Sequence, residues 1–444
     1  MADATTADAI TAAWRLESAR LVGALTRMTR DVELAEDLAQ DALVAALEQW
    51  PVHGVPDNPA AWLMTTAKRR GIDHIRRAET LRRKTHELAH AAEEVSPMPD
   101  LESQVDHIED DVLRLIFLCC HPALTPESRA ALTLRLVGGL TTDEIARGFL
   151  VPGPTMGQRI SRAKRTLAEA GIELELPTGA ERAQRLDDVM AVIYLVFTEG
   201  YVATAGDDWA RPDLVAEAVR LARLLAELTP EEPEVHALQA LLELQGSRLP
   251  ARTDADGAPV LLDDQDRARW DRLLIRRGLA ALRRAEEIAA RGVPVGRYYL
   301  QAAIAAEHAK ADTAAATDWP RIARLYDVLA EAAPGPVVEV NRAVAHGRAS
   351  GPAAGLAVLA DLPPDALRDS PLLPGVRGDL LSRDGRHAEA AEAFAEAARR
   401  TRNASERILL ERRARAEHAA DRPGQPDRPG RPDLDEASAP PGRS

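Results

Sequence analysis

Apolar residues recur at steps of three and four along most of this chain, the spacing of one face of an α-helix. In "DVELAEDLAQDALVAALEQW" the apolar stripe consists of Val32, Ala35, Ala39, Leu43, Ala46 and Trp50. Asp31 is a suitable N-cap for this helix, and Pro51 is expected to stop it. Aromatic residues make up only 3% of the 444 residues, while Ala, Leu, Arg and Glu are abundant. We therefore predict an all-α fold.

Composition narrows the class of protein further. Cys119 and Cys120 are adjacent in an apolar run, so they cannot form a disulfide framework and are predicted to be small core residues. No signal peptide and no apolar run of membrane-spanning length is visible, which favours a cytoplasmic protein with no membrane partner. The sequence lacks a Gly-rich phosphate loop, a metal-spaced His/Cys set and a nucleophile motif. We therefore expect no enzymatic activity, no metal and no cofactor.

The chain divides into five parts by composition. We predict a helical unit over residues 10–83, a linker over 84–108, a second helical unit over 109–172, helix after helix over 181–420, and a disordered tail over 421–444. Near the end of the long helical part, "ASGPAAGLAVLADL" and "RDGRHAEAAEAFAEAARR" superpose with Gly351 above Gly385, an offset of 34 residues. That offset is the tetratricopeptide (TPR) period, so the sequence predicts a TPR-like helical array.

The second unit contains "GLTTDEIARGFLVPGPTMGQRISRAKRTL", residues 139–167, which predicts two short helices joined by a turn. In the second helix Met156, Ile160, Ala163 and Leu167 form the predicted buried stripe. The opposite side carries Gln158, Arg159, Ser161, Arg162, Lys164 and Arg165, and residues 145–168 contain no acidic side chain. A helix-turn-helix places such a helix in the major groove of DNA. The alternative is a solvated basic face on a helical hairpin.

The first unit combines an acidic helix with a basic one. Residues 62–84 contain eight basic and two acidic side chains, a local charge of +6, and they follow the polar loop "PVHGVPDNP". A basic helix beside a polar loop suits a single-stranded or melted nucleic acid with a flipped-out base. The preceding helix is predicted to expose its acids, which favours a second, basic partner; they are Glu33, Glu36, Asp37 and Asp41. The alternative is a surface on which the two helices neutralise each other.

Two of these segments together resemble a known family. "DVELAEDLAQDALVAALEQWP…NPAAWLMTTAKRRGIDHIRR" is similar to region 2 of group IV, or extracytoplasmic-function (ECF), RNA polymerase sigma factors of the sigma-70 family. "LTPESRAALTLRLVGGLTTDEIARGFLVPGPTMGQRISRAKRTL" is similar to their region 4. "DVMAVIYLVFTEGYVATAGDDWARPDLVAEAVRLARLLAEL" and "LLDDQDRARWDRLLI" resemble the extension of sigma factors with a C-terminal TPR-like domain.

The resemblance implies specific partners and residues. Asp37, Gln40 and Asp41 would dock on the β′ clamp helices of core RNA polymerase, and region 4 would meet the β flap. The loop from His53 to Asn58 would hold a flipped base of the −10 element, with Trp62, Lys68, Arg69, Arg70 and Arg76 near the strand. Gln158, Ser161 and Arg162 would read −35 bases, and Thr155, Arg159, Lys164 and Arg165 complete that DNA-binding face. Gly71 is expected to interrupt the basic helix.

The extension is expected to regulate promoter-specific initiation, with an unidentified protein or ligand as its own partner. The acidic stretch from Asp263 to Asp271 could dock on a basic DNA-binding face, or could simply be an Asp-rich helix N-terminus. The rival to a sigma factor is a stand-alone helix-turn-helix activator with a TPR-like sensor. Such an activator would bind duplex DNA without polymerase.

Overall fold

The structure is a computed structural model that describes residues 2–87, 108–149, 151–172, 174–202, 210–254, 258–363, 367–368 and 370–421. Most of the predicted linker and nearly all of the predicted tail lie outside the described residues. The described residues contain eighteen α-helices and, apart from one isolated antiparallel bridge between Thr253 and Pro259, no β-structure. The prediction of an all-α fold is confirmed.

The helices of residues 2–172 are α1 (Ala2–Thr29), α2 (Val32–His53), α3 (Pro59–Glu87), α4 (Ile108–Cys119), α5 (Pro126–Leu136), α6 (Thr142–Gly148) and α7 (Gly153–Glu169). Those that follow are α8 (Gly179–Tyr201), α9 (Pro212–Leu228), α10 (Pro233–Gly246), α11 (Arg272–Ala289), α12 (Arg297–Lys310), α13 (Trp319–Ala332), α14 (Pro336–Ser350), α15 (Pro352–Ala360), α16 (Leu372–Arg383), α17 (His387–Arg400) and α18 (Ala404–Ala420). None of the described helices is long and apolar enough to cross a membrane.

Local sequence signals explain both ends of α2. The Asp31 carboxylate accepts hydrogen bonds from the backbone N–H groups of Glu33 and Leu34, as expected of an N-cap. The expectation that Pro51 stops the helix is wrong, because α2 continues to His53. A proline in the last turn removes only one backbone hydrogen bond. The chain leaves the helix at Gly54, whose φ of +87° suits glycine.

The basic helix α3 is also longer than expected. It runs without a break through Gly71, so the predicted interruption is wrong. Gly71 is buried, and a Cβ there would meet the methyl end of Met28 on α1 at 2.2 Å. The missing side chain therefore lets α3 approach α1 closely, and the surrounding helical residues hold the glycine in helical conformation.

Helices α6 and α7 form the predicted helix-turn-helix. The hydroxyl of Thr141 accepts from the N–H of Glu144, and the Glu144 carboxylate accepts from the N–H of Thr141, so the two residues form a capping box. Pro154 lies in the first turn of α7, where its missing N–H is harmless. The predicted stripe of α7 is buried, namely Met156, Ile160, Ala163 and Leu167.

Chain contacts divide the protein into two compact units. The first contains Met1–Pro334 with Arg402–Ser405, and the second contains Gly335–Thr401 with the residues from Glu406 onward. One apolar cluster runs through α1–α12 in the first unit and includes Cys119 and Cys120, which are fully buried as predicted. Burial raises the pKa of the Cys119 thiol, and it raises that of Cys120 to about 11.

In the second unit, α14 pairs with α15 and α16 pairs with α17. Gly351 and Gly385 occupy the turns of these two hairpins with φ of +98° and +76°. A positive φ favours glycine, which explains why the glycines are repeated. Ala390, Phe394 and Ala397 are fully buried on α17. The TPR-like character of residues 181–420 stays a prediction.

Candidate nucleic-acid interface

The outer face of α7 is open to solvent and positively charged. Its exposed side chains are Thr155, Gln158, Ser161, Arg162 and Arg165, whereas Arg159 is half-buried. Among the described residues, Arg162 and Arg165 have no acidic partner. Two unpaired guanidinium groups beside a glutamine and a serine form a surface that can bind phosphates and read base edges.

Lys164 differs from its neighbours on α7. Its side chain retains only 11% exposure, and its ammonium group pairs with the Glu36 carboxylate on α2. Arg135 of α5 binds the same carboxylate, with its Nε 2.6 Å from Oε1. Glu36 is 5% exposed. Lys164 is therefore engaged inside the protein rather than presented on the DNA-binding face.

The basic face of α3 is more accessible. Arg69 and Arg76 are exposed, and Lys68 and Arg70 are half-buried. Arg70 lies 3.2 Å from the Asp41 carboxylate of α2. The side chains of Arg82, Arg83 and Lys84 fall outside the described part of the chain. The acidic and basic helices thus neutralise each other at one pair, while the other described cations on α3 remain available.

The loop between α2 and α3 is shaped by its own polar and aromatic residues. Asn58 is exposed, and its side-chain oxygen accepts a hydrogen bond from the N–H of Ala61 at 3.0 Å, which caps α3. His53 is exposed at the end of α2, with Nδ1 3.1 Å from the Gln49 carbonyl oxygen. Trp62 packs edge to face on the buried Trp50, with ring centroids 5.4 Å apart. The two tryptophans fix the angle at which α3 leaves the loop.

The solvent face of α2 carries both acids and apolar residues. Asp37 and Asp41 are exposed, as expected of residues that dock on a basic partner. Val44 and Leu47 on the same helix are 49% and 51% exposed. Exposed apolar residues beside acids are typical of a protein-binding surface. Sequence reasoning missed Val44 and Leu47, although both fall outside the predicted buried stripe.

Gln40 is only half-buried, and its side-chain amide donates a 2.7 Å hydrogen bond to Oε1 of Glu36. The predicted docking residues therefore do not behave alike, since Gln40 already has a partner within the protein. Glu36 itself was grouped with the exposed acids of α2 and is instead the buried centre of a small polar network. Its position on the apolar side of α2 was the available signal.

Helices α8 and α9, the first two helices of the extension, pack against α4 and α5, which precede the helix-turn-helix. Arg185 donates to the Phe117 carbonyl at 2.6 Å, and Arg220 donates to the Val137 carbonyl at 3.0 Å. Leu214 fits against Gly148, where an added Cβ would come within 3.0 Å of its methyl groups. The extension is therefore in direct contact with α4, with the residue that follows α5, and with α6, the first helix of the helix-turn-helix.

Two acids of the Asp263–Asp271 stretch have local roles. Asp266 accepts from the N–H of Ala268, and Asp271 accepts from the N–H groups of Leu273 and Leu274. These bonds cap a short 3₁₀ helix and α11. They favour the interpretation of this stretch as a helix N-terminus.

Family models match three parts of the chain. They are Sigma-70 region 2 over residues 14–80, Sigma-70 region 4 over residues 114–167, and a family of unknown function, DUF6596, over residues 185–286. The last match covers α9, which contacts the helix-turn-helix at Gly148.

Whole-chain comparison finds similar proteins of two kinds. An uncharacterized protein of Rhizobium meliloti (strain 1021) is 45% identical over 409 residues, which covers 90% of this chain and 94% of that protein. The ECF RNA polymerase sigma factor SigK of Mycobacterium sp. (strain KMS) is 31% identical over 147 residues, covering 31% of this chain and 70% of SigK. The probable ECF RNA polymerase sigma factor SigI of Mycobacterium tuberculosis is 29% identical over 175 residues, covering 39% of this chain and 60% of SigI.

Proposed function

This chain belongs to the ECF RNA polymerase sigma factor family, and we propose how its surfaces divide the work of promoter recognition. It is a sigma factor that binds core RNA polymerase and directs transcription initiation at promoters. We propose that it works in the cytoplasm. The proposal below assigns one partner to each of three exposed surfaces.

The solvent face of α2 docks on the polymerase. Asp37 and Asp41 supply negative charge. Val44 and Leu47, which follow them along α2, supply exposed apolar area. Charge steers the encounter with a basic partner, while buried apolar area slows dissociation. The β′ clamp helices are the expected partner, and region 4 would meet the β flap.

The outer face of α7 reads the −35 element. Gln158, Ser161 and Arg162 are exposed near the N-terminal half of the helix, where a recognition helix meets base edges. Thr155, Arg159 and Arg165 flank them and suit phosphate contacts. Lys164 joins this set only when it leaves Glu36.

The loop after α2 and the basic face of α3 hold the −10 element. Asn58 and His53 are exposed at the loop, and Arg69 and Arg76 follow on α3 beyond Trp62. In this proposal a flipped base is held at the loop, next to cations that contact the strand backbone. Because Asn58 also caps α3, its substitution would disturb both the loop and the helix.

The extension modulates these activities through its contact with region 4. Leu214 of α9 contacts Gly148 of α6, and Arg220 of α9 binds the carbonyl of Val137, which follows α5. A ligand or protein that binds the extension can therefore change the position of α7 through these contacts. Two states of this contact would be needed for regulation.

The observation that carries the proposal is that one chain has both a recognition helix with no acidic side chain from Gly153 to Ala168 and a docking helix with exposed acidic and apolar residues. Purified protein should direct core RNA polymerase to discrete start sites in a pool of genomic fragments. Duplex binding in the absence of polymerase, with no effect on initiation, would instead favour the stand-alone activator.

A further inference from the structure

Glu36 connects region 2 to region 4. Its buried carboxylate on α2 pairs with Lys164 of the recognition helix α7 and with Arg135 of α5. Removing a carboxylate from water is costly, and the two cations offset that cost. Both cations come from region 4, so the carboxylate keeps these two partners only while the two regions remain together.

Other contacts support the same closed arrangement. The buried Asp111 of α4 accepts from Arg27 of α1 at 2.9 Å. The Trp14 indole donates to the Gly139 carbonyl, in the turn before α6, at 3.0 Å. A cavity of about 510 Å³ lies next to the pair, between the α1–α2 turn and the end of α7, and Lys164 is part of its wall. The ion pair thus lies beside a cavity, at the edge of the apolar cluster that the two regions share.

The closed arrangement is too short to reach both promoter elements. Centres at −10 and −35 are roughly 25 base pairs apart, or about 85 Å along B-DNA. The path from Gln158 along α7, across the ion pair, and along α2 to His53 is only about 45 Å. Regions 2 and 4 must therefore separate before one molecule can occupy both elements.

We propose that the Glu36 carboxylate is a latch that holds the sigma factor closed by binding Arg135 and Lys164 of region 4. The latch keeps Lys164 from the −35 phosphates in the free protein and releases it when the regions part. This inference rests on the proposed roles of α2, α3 and α7.

Gln40 connects the latch to the docking surface. Its amide donates to the same Glu36 oxygen that Arg135 binds, and it lies on α2 between the exposed Asp37 and Asp41. A polymerase surface that takes up the Gln40 amide removes one donor from Glu36. Docking thereby favours the open state at the moment when the DNA-binding face is needed.

The test is an inter-label distance in the full-length protein. Labels are attached at Glu48→Cys on α2 and Glu127→Cys on α5, because both positions are exposed and the native thiols are fully buried. The otherwise unsubstituted protein should give one short distance, and core polymerase should lengthen it. Glu36→Gln should raise the ratio of open to closed molecules by about tenfold without polymerase, the effect of losing a charge-assisted contact.

Two further variants make the result specific. Glu33→Gln removes an exposed acid from the same helix and should leave the distance unchanged. Lys164→Met removes a cationic partner of Glu36 and should open the protein as Glu36→Gln does. Two independent variants guard against a result that comes from misfolding of one of them, and circular dichroism checks that both are folded. An unchanged distance in folded Glu36→Gln and Lys164→Met would overturn the latch.

The latch and the proposed function fail differently. If the polymerase does not bind, the assignment of α2 is wrong, yet Glu36→Gln should still lengthen the distance in the free protein. If the polymerase binds and initiates normally but neither variant changes the distance, only the latch is wrong.

Discussion

Arg70 and Asp41 form an ion pair at 3.2 Å, which joins a residue proposed to bind promoter DNA to one proposed to bind polymerase. Both side chains remain substantially exposed, so the pair is screened by solvent and weak. Polymerase and DNA can each replace one partner. The pair also means that substitution of Asp41 affects two surfaces, whereas Asp37 is exposed on the docking side and gives a simpler test.

Asp37→Arg is expected to weaken binding to core polymerase by about tenfold, or about 1.4 kcal/mol, because it reverses charge on the docking face. Fluorescence anisotropy with labelled protein at fixed ionic strength measures the change. Glu127→Arg, a reversal at an exposed acid on α5, is the matched control and should have little effect. Equal affinities for Asp37→Arg and the unsubstituted protein would refute the assignment of α2.

Arg162→Ala is expected to cost about 1–3 kcal/mol of preference for the cognate −35 element, since its guanidinium, which has no acidic partner among the described residues, is proposed to contact a base edge. Binding to cognate and base-substituted duplexes measures the preference. Arg165→Ala should instead weaken binding to both duplexes alike, as loss of a phosphate contact does. A uniform loss for Arg162→Ala would reassign it to phosphate.

Leu214→Ala is expected to weaken binding to the −35 duplex, because Leu214 packs on Gly148 within the helix-turn-helix. Deleting this buried side chain should also cost about 2–5 kcal/mol of stability. Leu410→Ala removes a similarly buried leucine from the second unit and should leave duplex affinity intact. If the two variants affect duplex affinity equally, the α9 contact has no specific role.

Cys119 and Cys120 are expected to resist alkylation in the native protein at pH 8, because both are fully buried and both thiol pKa values are raised, that of Cys120 to about 11. The thiolate is the reactive form and forms only well above pH 8. Mass spectrometry after iodoacetamide treatment should show modification only after denaturant is added. Rapid labelling of native protein would mean that α4 opens readily.

Much of the DNA-binding region could be predicted because it depends on local signals. The stripe from Met156 to Leu167, the cap at Thr141 and the early Pro154 are all set by residues within one or two turns. The same holds for the N-cap at Asp31. Periodicity and capping chemistry were sufficient there.

Most of the errors and omissions have non-local causes. Gly71 is unfavourable to a helix in isolation, but its close packing against Met28 keeps it within α3. Pro51 is a local case, because it lies exposed in the last turn of α2, where it removes only one backbone hydrogen bond. The position of Glu36 on the apolar side of α2 indicates its burial, but Glu36 and Lys164 are 128 residues apart in the chain, so no local pattern predicts that the two would pair. The same is true of Arg220 and the Val137 carbonyl, which become neighbours only when α9 packs on α5.

The most direct test of promoter recognition is transcription in vitro with purified core polymerase and a promoter found in the genomic-fragment pool. The template carries either its native −35 element or a base-substituted one, and the protein is unsubstituted or Arg162→Ala. We expect the unsubstituted protein to initiate at one site, and its rate of initiation to fall at least about tenfold on the altered template. The rate with Arg162→Ala should be largely the same on both templates. Initiation that requires polymerase but is unaffected by both the −35 change and Arg162→Ala would contradict the assignment of α7 as the promoter-reading helix.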